Sequence, residues 1–311
     1  MAIVNDEKSK VLIPNGDDIK LKSFRSSDGL WLMKKIGKME EKAYRNVFPK
    51  IASMNLEFKT LKLPIPDDYK LAKIIAQDDL GGLVAELEPN ILFIKKYEGA
   101  RFDDRWNESV QVPTFGGRGI PSIFATKIVD ILEDFSKISL ESFLDYGLSR
   151  FDMKVWQLNK LPERMRNLVP DQITSQEIQK FQEILISRLT IRPKEIITNG
   201  DFYPRNLIEM ENGKIVVFDW ESSDMRTSLI NTTESHLAFM FIHMWGNRDF
   251  QRLLVKDGVQ RLGLNLEELQ LAILMRCLDQ LPLWKASPAG DEIKSLFSLC
   301  LDLKNLESFL N

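Results

Sequence analysis

The hydrophobic pattern is mostly strand-like up to about residue 100 and mostly helical beyond it. That change restricts it to a fold with a strand-built part followed by a helical part. In Ile19-Lys20-Leu21-Lys22-Ser23-Phe24 apolar and polar residues alternate, which predicts a strand. The polar stretch 25–29 predicts a turn and Leu30 to Ile36 a second strand, together a hairpin. Glu40, Glu41, Tyr44, Val47, Phe48 and Ile51 fall at helical spacing. Leu71 to Ala76 and Ile91 to Tyr97 predict two further strands, split by an Asp78 to Gly82 loop. Glu98-Gly99 then opens a polar, glycine-rich connection that runs to Pro121. Its Phe115-Gly116-Gly117-Arg118-Gly119 stretch lacks the Lys-Ser/Thr of a P-loop and reads as a linker.

Beyond Pro121 the period is helical. Ser122 to Phe135 carries Ile123, Ile128, Ile131, Leu132 and Phe135 on one face. Thr174-x-x-Glu177 is a capping box ahead of Ile178, Phe181, Leu185 and Leu189. Thr233 to Trp245 is apolar nearly all round, which predicts a buried helix. Asn265-x-x-Glu268 is a second capping box, and Asp291 to Leu306 predicts a last amphipathic helix. The fold class expected is α+β in two lobes. Residues 1–96 form a small β-rich N-terminal lobe and residues 97–311 a larger, mostly helical one, with a hinge near 95–100.

One β-island interrupts the helices. Glu195 to Thr198 predicts a short strand that leads into Asn199-Gly200-Asp201-Phe202-Tyr203-Pro204-Arg205-Asn206. Leu207 to Met210 and Lys214 to Phe218 then form a hairpin around Asn212-Gly213, a strong turn signal. The second arm ends in Asp219-Trp220-Glu221.

Composition excludes several chemistries. The chain of 311 residues has two histidines and two cysteines. Cys277 and Cys300 are isolated, so zinc ribbons and CxxC redox sites are excluded. His236 and His243 do not have the HExxH spacing of a zinc protease. A net charge of −3 gives no basic footprint for nucleic acid. No apolar run reaches the ~18 residues of a membrane span. No secretory signal is visible at Met1 to Val11, and the few cysteines fit a cytoplasmic location. The sequence sets no oligomeric state.

The β-island instead collects oxygen ligands. Asp201 and Asn206 share one loop, and Asp219 ends the hairpin that follows. A carboxylate and an amide oxygen suit Mg²⁺, and a second carboxylate can take a proton from an attacking hydroxyl. An Asp–Asn pair alone is ordinary turn chemistry. The preceding apolar strand, the hairpin and the closing Asp-Trp-Glu turn it into the part set of phosphoryl transfer, which rests on positioning and charge.

These residues, Asn199-Gly200-Asp201-x-x-Pro204-x-Asn206-Leu207 and Val217-Phe218-Asp219-Trp220-Glu221, resemble the aminoglycoside phosphotransferase/choline kinase-like family. Its motif reads H-G-D-x-x-x-x-N, then an apolar strand and I-D-W/F-E. The resemblance implies a protein kinase-like fold and transfer of phosphate from ATP (or GTP) to a hydroxyl of an aminoglycoside, amino alcohol or sugar. It implies Asp201 as catalytic base and Asn206 and Asp219 as Mg²⁺ ligands. It further implies a phosphate-binding lysine, Lys34 or Lys35, braced by a glutamate. Adjacent strand residues face opposite sides, so only one lysine meets the cleft. Lys35 is preferred because the strand ends there, and Glu41 is preferred over Glu40. Ser26 and Ser27 stand where a phosphate-covering loop is expected.

Two departures stand out. Asn199 occupies the usual histidine position, which generally buttresses the loop. Glu221 takes the place of the protein-kinase glycine after Asp-Phe, which is normal for the small-molecule family and argues against a protein kinase. Separately, Glu234-Ser235-His236-Leu237-Ala238 resembles the family's D-L-A element, with His236 where an aspartate is common. By default both histidines of this helix are satisfied core residues. Glu221, Asp224, Asp279 and Trp284 are candidates to line an acceptor pocket suited to a cationic amine. The alternative function is a pseudokinase, a nucleotide-binding regulatory module without transfer.

Overall fold

The computed structural model describes the backbone of the strands between residues 21 and 101. It also describes residues 119–138, 140, 152–168, 172–211, 213, 215–217, 230–284 and 287–311. Six strands form one antiparallel sheet: β1 (Leu21–Ser26), β2 (Gly29–Lys35), β3 (Thr60–Leu61), β4 (Ala72–Gln77), β5 (Leu83–Glu88) and β6 (Ile91–Lys95). Their order is β1-β2-β6-β5-β4-β3. The first hairpin is tighter than the sequence predicts. Ser26 pairs with Gly29, so the ladder continues through residues expected to be turn. Strand β5 was not anticipated. Its acidic residues Glu86 and Glu88 dilute the alternation, yet it pairs with both β4 and β6. The helix expected over residues 40–51 and most of the linker at 115–119 lie outside the described residues.

Helices α1 (Phe124–Ser136), α2 (Met153–Leu168) and α3 (Ser175–Ser187) follow. Later come α4 (Thr233–His243), α5 (Arg248–Asp257), α6 (Leu266–Trp284), α7 (Pro288–Cys300) and α8 (Leu303–Leu310). Ile128, Leu132 and Phe135 of α1 are buried as their spacing requires, but Ile123 caps the helix and is exposed. Thr174 and Glu177 close the expected capping box on α3. The last predicted helix is two. Asp302 breaks the run and accepts the Lys304 N–H at 3.0 Å, capping α8.

The helical core centres on α4 and α6. Thr233 to Ile242 are buried without interruption, as are Glu268 to Asp279. Phe181, Phe241, Phe250 and Phe297 are fully buried around them. Among the described residues no helix is long and apolar enough to cross a membrane.

The β-island resolves into two ladders. β8 (Glu195–Ile197) pairs with β11 (Ile230–Thr232), which runs directly into α4. β9 (Leu207–Glu209) and β10 (Ile215–Val217) form the expected hairpin. Gly213 supplies its left-handed turn residue at φ +75°, and its N–H donates to the Met210 carbonyl at 2.9 Å. The short strand β7 (Ala100–Arg101) joins the outer side of β9.

Candidate active site

The loop from Thr198 to Asn206 is held at both ends by strands and from below by the core. Ile197 ends β8 fully buried opposite Ile230. Phe202 is fully buried, edge-on to Phe135 of α1 with ring centroids 6.4 Å apart. An apolar anchor in mid-loop leaves the polar residues on either side little freedom. Gly200 takes φ +84°, a backbone that a Cβ disfavours, and this reverses the chain just before Asp201.

Asp201 and Asn206 are brought together by that reversal. The Asn206 side-chain amide donates to the Asp201 carbonyl at 2.9 Å, and Asn199 Nδ2 donates to the same carbonyl at 3.3 Å. A 3-10 turn over Pro204–Asn206 closes the loop, with the Asn206 N–H on the Tyr203 carbonyl at 3.0 Å. Asn206 and Asn199 are buried, whereas Asp201 is half-buried, so its carboxylate belongs to the one partly accessible member of the three.

The donor set fits a hard cation on one count. With its nitrogen committed to the Asp201 carbonyl, Asn206 keeps its carboxamide oxygen for a ligand, and amide oxygens suit Mg²⁺. Asp219, the other expected ligand, lies two residues past the end of β10 and outside the described residues. So do Ser27, Glu41, Glu221 and Asp224. Ser26 is the last residue of β1, in the ladder and not in a loop. Lys34 and Lys35 close β2, opposite Leu92 and Ile91 of β6.

Two residues of the site were not singled out for it by sequence reasoning. Thr198 Oγ1 accepts the Gly200 N–H at 3.1 Å and lies 3.0 Å from His236 Nδ1. Both side chains are buried. Burial, reinforced by the Arg276 charge, lowers the His236 pKa to about 3, against an opposing bond to the Ile196 carbonyl. The signal available was the placement of a histidine at 236, where the resemblance has an aspartate. His243, about two turns further along α4, packs on the loop's Tyr203 at 4.6 Å between ring centroids. Burial and the Arg205 and Arg276 charges lower it to about 3 as well.

The acceptor-lining expectations change. Asp279 is buried, and one of its oxygens takes both Arg164 Nη2 and Gln157 Nε2 at 2.8 Å. It works as an internal counter-ion, which removes it as a ligand for a cationic amine. Trp284 is half-buried and donates its indole N–H to Gln280 at 3.2 Å.

No protein-family model matches the sequence, and no curated protein matches it. Solved structures do match the fold. Choline kinase LicA from Streptococcus pneumoniae aligns with TM-score 0.52 at 14% identity, over 93% of this chain and 90% of that one. A choline/ethanolamine kinase family protein from Mesorhizobium loti aligns with TM-score 0.54 at 11% identity, over 97% and 95%. A thermostable mutant of aminoglycoside phosphotransferase APH(4)-Ia aligns with TM-score 0.54 at 12% identity, over 92% and 91%. The chain thus shares the fold of choline kinases and aminoglycoside phosphotransferases, the group that its loop motif resembles.

Proposed function

We propose that this protein is a Mg²⁺-dependent phosphotransferase that moves the terminal phosphoryl group of ATP or GTP to a hydroxyl of a small polar molecule. The observation that carries the reading is the Thr198 to Asn206 loop, in which Asn206 holds the Asp201 carbonyl at 2.9 Å while Asp201 stays half-buried. The shared fold supports it. Structures with that fold include one of APH(2")-IIia with GDP and kanamycin and one of an APH(4)-Ia mutant with ADP and hygromycin B.

In this reading residues 1–96 are a nucleotide-binding lobe and residues 97–311 a lobe with the catalytic loop and the acceptor site. Asp201 orients the acceptor hydroxyl and takes its proton as the oxygen attacks. Ser26, Ser27 and one of Lys34 and Lys35, with Glu41 as its brace, hold the nucleotide phosphates. Asn206 and Asp219 hold Mg²⁺, which when bound neutralises charge on those phosphates. The chain's own contribution is mainly alignment. The two amides on the Asp201 carbonyl fix its backbone, and Phe202 pins the loop to the core. Such positioning is the larger share of catalysis where bond-making asks little of the protein.

The test is calorimetric titration with ATP and GTP in the presence of Mg²⁺, followed by a turnover screen over amino alcohols, amino sugars and simple sugars. Absence of any nucleotide affinity overturns the proposal. Tight binding with no transfer to any acceptor or to water makes the protein a binding module instead. Asp201→Ala is expected to lower turnover by ~10²–10⁴ while nucleotide affinity stays within about twofold. Asp219→Ala is expected to weaken the Mg²⁺–nucleotide affinity itself.

A further inference from the structure

We infer that Thr198 and His236 are a positioning pair that holds the Asn199-Gly200-Asp201 turn in its working shape. The effect on turnover rests on the phosphotransferase reading; the contact itself does not.

Thr198 is the first residue of the loop and is fully buried. A threonine hydroxyl has one proton to give and lone pairs to receive. The Gly200 N–H, aimed back by the left-handed turn at φ +84°, fills a lone pair of Oγ1 at 3.1 Å. The hydroxyl proton then needs an acceptor, and His236 Nδ1 at 3.0 Å is one if the imidazole is neutral and bare at that nitrogen. Burial keeps the ring unprotonated, with a pKa of about 3, so one ring nitrogen accepts and the other donates, and Nδ1 and Oγ1 share a hydrogen bond whichever of the two supplies the proton. The contacts therefore join the Gly200 N–H to Thr198 and Thr198 to His236 in one chain of hydrogen bonds.

What this chain of bonds attaches matters. His236 sits in the first half of α4, a helix capped by Thr232 on the Ser235 N–H at 3.1 Å and buried from Thr233 to Ile242. The loop turn is thus tied to the most enclosed element of the core. From the other side Asn206 and Asn199 hold the Asp201 carbonyl. Gly200 is gripped through its N–H and Asp201 through its C=O, which fixes the backbone from which the half-buried Asp201 side chain projects. The swap of residue types agrees. The resembling motif has histidine at the loop position and aspartate on the helix. Here Asn199 is on the loop and the imidazole is on the helix. Inside the core each of these bonds is costly to leave unmade.

The experiment uses the full chain with MgATP hydrolysis as the turnover probe and amide hydrogen exchange at Gly200 as the structural probe. Thr198→Val removes the hydroxyl at constant shape. It is expected to speed Gly200 exchange by at least about tenfold, and to lower kcat by ~10–100-fold with KM for ATP within about twofold. Thr198→Ser keeps the hydroxyl and is expected to stay close to the parent in both readouts. If Thr198→Val does not fold, His236→Phe, which keeps a buried ring without the acceptor, is expected to shift both probes in the same direction. Unchanged Gly200 exchange overturns the pair. Faster exchange with unchanged kcat overturns its positioning role and leaves a purely structural contact. If the parent protein transfers phosphate from ATP or GTP neither to water nor to any acceptor of the screen, the phosphotransferase reading fails by itself, and Gly200 exchange still decides whether the contact exists.

Discussion

Lys154 shows how a single residue sets the relation of several helices. It stands in the first turn of α2, and only 8% of it is exposed. Its ammonium donates to the Arg188 carbonyl at 2.8 Å, the Ile191 carbonyl at 3.0 Å and Glu268 Oε2 at 2.7 Å, so all three protons are placed. The pairing explains why Asn265-x-x-Glu268 is only half a capping box. Asn265 Oδ1 does accept the Glu267 and Glu268 N–H groups at 2.9 and 3.1 Å. Glu268 does not return to the Asn265 N–H, because Lys154 holds its carboxylate. Glu234 of α4 reaches across and accepts that N–H at 3.2 Å. A local sequence rule has been replaced by two long-range contacts, which no spacing in the sequence reveals. Removing one partner of a buried pair leaves a charge without compensation. Lys154→Met is therefore expected to cost about 3–5 kcal/mol in urea denaturation, and the double change with Glu268→Leu to recover much of that loss. A single-variant cost below about 1 kcal/mol shows that water replaces the ammonium.

At the scale of elements, what was legible in the sequence had a local cause. The Thr174 capping box, the Gly213 hairpin and the apolar length of α4 each follow from residues a few positions apart, and each formed as expected. The approach of Asn206 to Asp201 was legible for the same reason, since a few residues and the left-handed turn at Gly200 bring them together. Strand β5 was not, because its pairing with two neighbours outweighs a weak alternation. Neither was the break at Asp302, where a cap overrides a continuous amphipathic pattern. The pairing of β8 with β11 also depends on partners distant in sequence. A further long-range constraint sits at the π-helical turn Gly258–Leu262 after α5. A Cβ on Gly258 would lie 2.4 Å from Leu264 Cδ1 and 3.1 Å from Leu237 Cδ1, both in buried side chains. Leu237 follows His236 on α4, so the turn packs against the helix that steadies the loop. Gly258→Ala is expected to cost about 1–3 kcal/mol by overpacking, read as a lower denaturation midpoint at unchanged urea dependence. An unchanged midpoint shows that Leu264 swings aside freely.

For the molecule as a whole, the buried titratable groups of α4 contribute a pH dependence to stability. His236 and His243 have pKa values lowered to about 3 by burial first and by nearby arginines second. In the unfolded chain a histidine binds its proton near pH 6.5. Between about 6.5 and 3 the unfolded state thus holds more protons than the folded one, and stability falls as the pH falls. Glu234 acts in the opposite sense. Burial raises its pKa above the usual 4.5, with the Glu268 charge adding to the effect. The folded state holds that proton more firmly, so stability falls as the pH rises from about 4.5 through the raised value. The two slopes overlap on the acid side of neutrality, and variants separate them. His243→Phe keeps an aromatic ring beside Tyr203 and Phe239 and is expected to flatten the loss of stability between pH 6.5 and 4. Glu234→Gln keeps an acceptor for the Asn265 N–H and is expected to gain stability relative to the parent as the pH rises above 4.5. Urea midpoints at half-unit steps from pH 4 to 8 measure both. A His243→Phe profile parallel to the parent's would mean that the acid loss arises elsewhere. A Glu234→Gln advantage that is constant with pH would mean that the carboxyl is ionised in the fold and balanced by Lys154, whose charge opposes the shift.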